Sequence, residues 1–233
     1  ELTKLLAETG NPKKLRVFVR LVAQLGGALL EMSSKYGCRP EEGARLLRKI
    51  AASGAQPCLT FHVGSQCLSP FTYAQAIEIA QQTIRLAGVK IAALDIGGGF
   101  PAAYAGQEPP PYHWFFDMIA TALDNLAMPD LNVMCEPGRA LCAPGISLVT
   151  QVVMRRDDRL YMNDGIYGSF DEQRFASFDE NYPPTGITLD AKGKAKTLTG
   201  ELRPFRFYGP TCDSADVLPR PVMLPDAVAA GDY

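Results

Sequence analysis

Ile91-Ala92-Ala93-Leu94-Asp95-Ile96-Gly97-Gly98-Gly99-Phe100-Pro101 is a short apolar run that stops on three consecutive glycines. A strand that ends in residues without side chains lets backbone amides approach an anion closely. Residues 70–87 before it and 112–126 after it carry apolar side chains at helical spacing, so the run reads as a strand between two helices. Working outward, residues 15–21, 58–63 and 132–135 read as further strands. Residues 40–52, with Ala44, Leu46, Leu47 and Ile50 on one side and Gly54 just beyond, read as a helix. A first helix closes near Gly10, and Pro109-Pro110-Pro111 is a stiff loop. This alternation predicts an α/β protein with four successive βα units, the C-terminal half of a (β/α)8 barrel, whose whole takes ~250 residues.

Beyond Gly145 the pattern changes. Residues 146–154, 160–163, 187–189, 194–198 and 205–208 are strand-like and separated by Pro, Gly and Asp. The expected organisation is therefore residues 1–144 as the half barrel and residues 145–233 as a partial, mostly β domain.

Composition narrows the partners. The 233 residues are 47% hydrophobic and 21% charged, with a net charge of −2 and the two signs interspersed. No basic face is set out for nucleic acid or an anionic membrane, which points to a small-molecule partner. No apolar run approaches the ~20 residues of a membrane span, and Glu1-Leu2-Thr3-Lys4 lacks the core of a secretion signal, so a cytoplasmic location is expected. The six cysteines show neither CxxC spacing nor a neighbouring histidine cluster, so neither a metal site nor a disulfide scaffold is expected, and most should be small buried hydrophobes. The missing initiator Met, and a stop at Gly231-Asp232-Tyr233 where another strand should follow, suggest an internal portion of a longer chain.

Several residues at expected strand ends could carry chemistry. The glycine triplet alone is more often just a turn, but Arg139 could add a cation and Ser65 a hydroxyl to the same anion. Glu136 closes a buried-looking strand, where a carboxylate needs a partner; a salt bridge to Arg139 and a cofactor contact weigh about equally on the residues alone. His62 is one of two histidines, and a lone strand-end histidine is usually structural. His113 belongs to no motif and should be exposed. Tyr208-Gly209-Pro210-Thr211-Cys212-Asp213-Ser214-Ala215-Asp216 sets a thiol and two carboxylates on a Gly-Pro turn, suited to a small cationic ligand, although a free cysteine is more commonly inert.

Taken in order, Phe61-His62-Val63-Gly64-Ser65-Gln66, Leu94-Asp95-Ile96-Gly97-Gly98-Gly99-Phe100-Pro101, Cys135-Glu136-Pro137-Gly138-Arg139 and the Cys212-Asp213 segment resemble the fold-type III (alanine-racemase-like) pyridoxal-phosphate decarboxylases, in their ornithine/lysine branch. The resemblance implies pyridoxal 5'-phosphate as cofactor and a homodimer with shared active sites. It assigns the cofactor phosphate to Ser65, Gly97, Gly98, Gly99 and Arg139, a further cofactor contact to Gly138, the pyridine nitrogen to Glu136, and a stacking position on the ring to His62. Cys212 would assist protonation after carbon dioxide leaves, and Asp213 would bind the distal ammonium of a basic amino acid, with Tyr167 nearby. Lys35 and Asp216 match a pair at the dimer interface. The implied reaction is decarboxylation of L-ornithine or L-lysine to putrescine or cadaverine, feeding polyamine synthesis.

Two departures qualify the resemblance. Where ornithine decarboxylases of eukaryotes carry a Tyr-Asp pair that helps hold the distal amine, this chain has Phe175-Ala176. None of its nine lysines stands in the Tyr-Ala-Val-Lys-like setting of the lysine that anchors the cofactor, which is therefore expected upstream of Glu1 or absent. A binding-only homologue of the antizyme-inhibitor kind is the rival reading, disfavoured because Cys212 and Asp213 are both present; a cofactor-carrying homeostasis protein fits poorly because such proteins lack the β domain.

Overall fold

The computed structural model describes residues 2–23, 25–104, 107–174 and 184–233. They form two compact units, residues 1–102 with 109–144 and residues 103–108 with 145–233. Among the described residues no helix is long and apolar enough to cross a membrane.

The first unit runs α1 (Leu2–Thr9), β1 (Arg16–Leu21), β2 (Ala28–Leu30), α2 (Pro40–Ala52), β3 (Gln56–Phe61), β4 (Ser65–Cys67), α3 (Phe71–Ala87), β5 (Ala93–Asp95), α4 (Tyr112–Asp124), β6 (Asn132–Met134) and a single turn, α5 (Arg139–Cys142). Local chemistry sets several of these bounds. Pro40 occupies the first turn of α2, where its missing N–H costs nothing, and Glu41 and Glu42 complement the helix dipole there. Gly88 closes α3 at φ 64°, a conformation that favours glycine.

Four strands make a parallel sheet in the order β1-β3-β5-β6. Register sets Val19 beside Leu59 and Leu59 beside Leu94, and these side chains join Leu47 and Ile50 of α2 and Tyr73 and Ile77 of α3 in the buried core. The alternate residues Arg20, Thr60 and Asp95 are likewise aligned, and alternation sends them to the other face of the sheet.

β6 departs from expectation. Within this chain it is an edge strand whose three residues are exposed, as are Cys135 and Glu136 beyond it. In this chain Glu136 is thus exposed where a buried strand end was expected, since no strand is paired beyond β6 among the described residues. The cysteines are also less uniform than expected: Cys58 and Cys67 are buried, Cys38 is intermediate, and Cys135, Cys142 and Cys212 are exposed. The antiparallel pair β2-β4 was not foreseen, since its strands have three residues each and offer too short a pattern to read.

The second unit contains β7 (Val152–Arg156), β8 (Arg159–Met162), β9 (Ile187–Leu189), β10 (Ala195–Thr197), β11 (Leu202–Tyr208) and β12 (Val222–Pro225). One sheet has the order β12-β11-β8-β7 and the other pairs β9 with β10. Val152, Leu160, Met162, Phe205, Phe207 and Leu224 form its core. β12 was missed because Pro221 and Pro225 frame it, and such prolines read as loop.

Candidate functional site

The C-terminal ends of β3, β5 and β6 converge. Beyond β3, the Gly64 N–H donates to His62 Nδ1 at 3.0 Å, leaving Nε2 as the nitrogen that carries hydrogen in the neutral ring. Burial, followed by the Arg20 charge, pushes the His62 pKa below its ordinary 6.5; Asp95 pulls more weakly the other way. Beyond β5, Gly97 and Gly99 adopt φ of 68° and 94°. A side chain at Gly97 would overlap the Phe61 carbonyl, and one at Gly99 the Gly64 carbonyl. At Gly98 an added Cβ would stand 2.5 Å from the Glu136 carbonyl and 3.1 Å from His62 Nε2. Close packing therefore requires all three glycines, and backbone conformation requires glycine at Gly97 and Gly99 as well.

Hydrogen bonds decide which amides remain available. Gly97 N–H donates to Asp95 Oδ1 at 2.9 Å, so that amide is already spent in making the turn. The carbonyls are held as well: Gly97 O accepts from Glu136 N, Gly98 O from the Tyr73 hydroxyl at 2.9 Å, and Gly99 O from Cys67 N. Among the described residues, the N–H groups of Gly98 and Gly99 donate to no protein acceptor. Gly98 is buried, so an unspent donor there calls for a ligand or water.

Across the cluster, Arg139 reaches Ser65 Oγ from Nε at 3.4 Å and from Nη2 at 3.2 Å. Gly138 is exposed and caps the turn of α5 by accepting from Leu141 N and Cys142 N. A guanidinium, a hydroxyl and two unspent amides are the donor set that a phosphate group requires. Two members of this arrangement escaped sequence reading. Asp95 shapes the glycine turn, and Tyr73 holds the Gly98 carbonyl while stacking on Phe100 at 4.8 Å, its phenol pushed up by burial. Asp95 directly precedes Ile96 and the triplet and could have been read as an Asx turn; Tyr73 is far along the chain and leaves no local signal.

The second unit assembles its own cluster. Tyr167 O–H donates to Asp213 Oδ2 at 2.8 Å. The Ala215 N–H, then this phenol, hold the Asp213 carboxyl below its ordinary value, and the same bond pushes the Tyr167 phenol up. Both residues and Cys212 are exposed. Their loops are tied together beneath by Asp216, which is 2% exposed and accepts from Ile166 N at 3.0 Å, Thr211 N at 3.1 Å and Thr211 Oγ1 at 2.7 Å. A side chain at Gly165 or Gly209 would overlap the Asp216 carboxylate. Asp216 is thus not a solvated acid; its carboxylate is used within its own unit. Asp164, also unforeseen, organises the Tyr167 loop by accepting from Gly165 N and Ser169 N, and hydrogen bonds from Ser169 lead in holding its carboxyl low.

Lys35 is exposed and lies over the Tyr36 ring at 5.2 Å. His113 is exposed, as expected. Phe175 and Ala176, where the chain departs from the eukaryotic pattern, lie outside the described residues.

A parallel α/β unit with an anion-binding donor set at its strand ends has the make-up of a phosphate-cofactor domain. Residues 1–143 match the family described as pyridoxal-dependent decarboxylase, pyridoxal binding domain, and the chain belongs to that family. The lysine/ornithine decarboxylase of Selenomonas ruminantium is 34% identical over 218 residues, covering 90% of this chain and 52% of that protein. Antizyme inhibitor 2 of Xenopus laevis is 30% identical, covering 94% of this chain and 50% of that protein. Among solved structures, the lysine/ornithine decarboxylase of Vibrio vulnificus complexed with cadaverine superposes with a TM-score of 0.74 at 32% identity, covering 99% of this chain and 59% of that one. The chain spans about half the length of the curated relatives it matches. The family placement read from the four motifs therefore holds.

Proposed function

We propose that this chain is part of a pyridoxal-phosphate-dependent decarboxylase of a basic amino acid, L-ornithine or L-lysine, giving putrescine or cadaverine for polyamine synthesis. Residues 1–144 would be the C-terminal half of the barrel and residues 145–233 part of the β domain, in a homodimer working in the cytoplasm. The observation that carries this reading is the donor set of Ser65, Gly98, Gly99 and Arg139 beside a histidine held neutral.

Each residue has a physical task in this scheme. Arg139, Ser65 and the Gly98 and Gly99 amides would hold the phosphate, while Gly97 and Gly138 shape the loops that present them. His62, held in one tautomer, would support the ring face, and Glu136 would keep the ring nitrogen protonated. When bound, the cofactor supplies an electron-withdrawing ring that stabilises the charge left as carbon dioxide departs. Asp213, held ionised, would take the distal ammonium, with the Tyr167 phenol orienting its carboxylate. The Cys212 thiol would return a proton to the α-carbon. In the shared-site dimer, Cys212 and Asp213 serve the neighbouring pocket, and Lys35 contributes to the interface with the loop that Asp216 braces.

The test is cofactor binding by the full-length protein. Arg139→Ala and Gly98→Ala should each weaken pyridoxal phosphate at least about tenfold, since each removes or displaces charge-assisted donors. Undiminished affinity in both variants would refute the phosphate assignment. Similarity to antizyme inhibitor 2 favours a second reading, a homologue that acts only by binding. Carbon dioxide release from ornithine or lysine by the full-length protein separates the two.

A further inference from the structure

Gln66 lies between Ser65, which meets Arg139, and Cys67, whose N–H donates to Gly99 O at 2.8 Å. Among the described residues Gln66, Ala127 and Asp157 are the non-glycine residues with positive φ, and the last two are exposed. Gln66 adopts φ 54° while 0% exposed. That conformation strains an ordinary side chain and persists only where the surroundings enforce it. Glycine would sit there unstrained, so the reason for glutamine lies in its side chain. The carboxamide closes a two-point clamp: Nε2 donates to Ala102 O at 2.7 Å, and Oε1 accepts from Ala102 N at 3.0 Å. Ala102 is 1% exposed, so its N–H and carbonyl need such partners.

Together with the Cys67–Gly99 bond, the clamp fastens both ends of Gly99-Phe100-Pro101-Ala102 to β4, the strand that begins with Ser65. From α3 the Tyr73 hydroxyl holds Gly98 O, and from α4 the Tyr112 hydroxyl holds Pro101 O at 2.7 Å. We propose that Gln66 is a positioning residue of the phosphate site, holding the loop of the Gly98 and Gly99 amides in register with the Ser65 hydroxyl so that both meet one phosphate. This inference rests on the pyridoxal-phosphate reading. Donors fixed in advance bind an anion without the ordering cost of a loose loop, so a broken clamp is felt at the phosphate.

The experiment uses the full-length protein with three variants. Gln66→Met keeps the length and removes both hydrogen bonds, Gln66→Gly removes them while relieving the backbone, and Gln66→Glu keeps the shape but is charged when ionised. Affinities for pyridoxal 5'-phosphate and for pyridoxal, which lacks the phosphate, are titrated separately by absorbance, and melting curves are recorded. Gln66→Met and Gln66→Gly should each weaken the phosphate ester about tenfold and leave pyridoxal unchanged. Gln66→Glu should be as weak at about pH 8 and return toward the unmutated protein at about pH 5.5, since burial raises its carboxyl and the protonated group donates and accepts as the amide does. A residue serving folding alone would move the melting curves without this selectivity or this pH dependence. Unchanged affinity for pyridoxal phosphate in Gln66→Gly, an equal loss for pyridoxal, or no return of Gln66→Glu at low pH would overturn the proposal. Where Gln66→Met melts below the assay temperature, the unstrained Gln66→Gly decides. Failure of the unmutated protein to bind pyridoxal phosphate would instead sink the reading beneath it.

Discussion

Replacing Asp216 with Ala should destabilise the second unit by about 4 kcal/mol, and the figure follows from what the carboxylate leaves behind. Three donors lose their acceptor: the Ile166 N–H, which is buried, and the N–H and hydroxyl of Thr211, which are partly buried. A hydrogen bond to a charged group is worth about 1.5–3 kcal/mol, and a buried donor without a partner costs about 1–3 kcal/mol. Water can reach the Thr211 groups and recover part of their share. Relief of the carboxylate's own desolvation subtracts further, which keeps the net well below the gross value of three such bonds. For a protein of this size about 4 kcal/mol corresponds to a fall in Tm on the order of 10 °C. Asp216→Asn should cost roughly half as much, because the amide oxygen can still accept from Ile166 while its NH2 meets the Thr211 N–H donor to donor. Gly209→Ala should rival Asp216→Ala, since its methyl would overlap the carboxylate. Urea unfolding followed by near-UV circular dichroism measures all three. A loss under about 1 kcal/mol for Asp216→Ala would show that the carboxylate does not tie the loops together.

Two further outcomes follow from the titrating groups. His62 has a folded pKa below its ordinary 6.5, so the unfolded chain binds its proton first as pH falls. Its contribution to stability should be fully present above pH 6.5 and be lost as pH falls through the lower folded value, and His62→Gln should flatten that slope in unfolding curves taken across this window. Tyr167→Phe should raise the Asp213 carboxyl toward its ordinary 3.8 without restoring it, because the Ala215 N–H remains; carbon-13 titration of the Asp213 carboxyl reads this, and an unmoved value would break the pair.

Much of the fold follows from local sequence. Pro40 and Glu41 at one end and Gly54 beyond the other delimit α2, and the mostly apolar stretch through Cys58, Leu59 and Phe61 marks β3 as a strand. The glycine triplet announced a backbone approach, and His62, Ser65 and Arg139 stood at strand ends where a parallel sheet gathers chemistry. Hydrogen-bond allocation was decided only by tertiary structure. The Gly97 amide is spent locally on Asp95, but the Gly98 carbonyl is held by the Tyr73 hydroxyl and the Gly97 carbonyl by the Glu136 N–H, partners that nothing next to the triplet announces. Glu136 looked buried because its strand is apolar, but exposure depends on whether another strand lies beyond β6. Asp216 reads as one more loop acid, and only the meeting of residues 165, 166, 209 and 211 around it makes it a buried brace. Periodicity and turn chemistry act over a few residues and can be read along the chain; burial and many partners of polar groups, such as Tyr73 for Gly98 and Ile166 for Asp216, come from segments remote in sequence, brought together only by the fold.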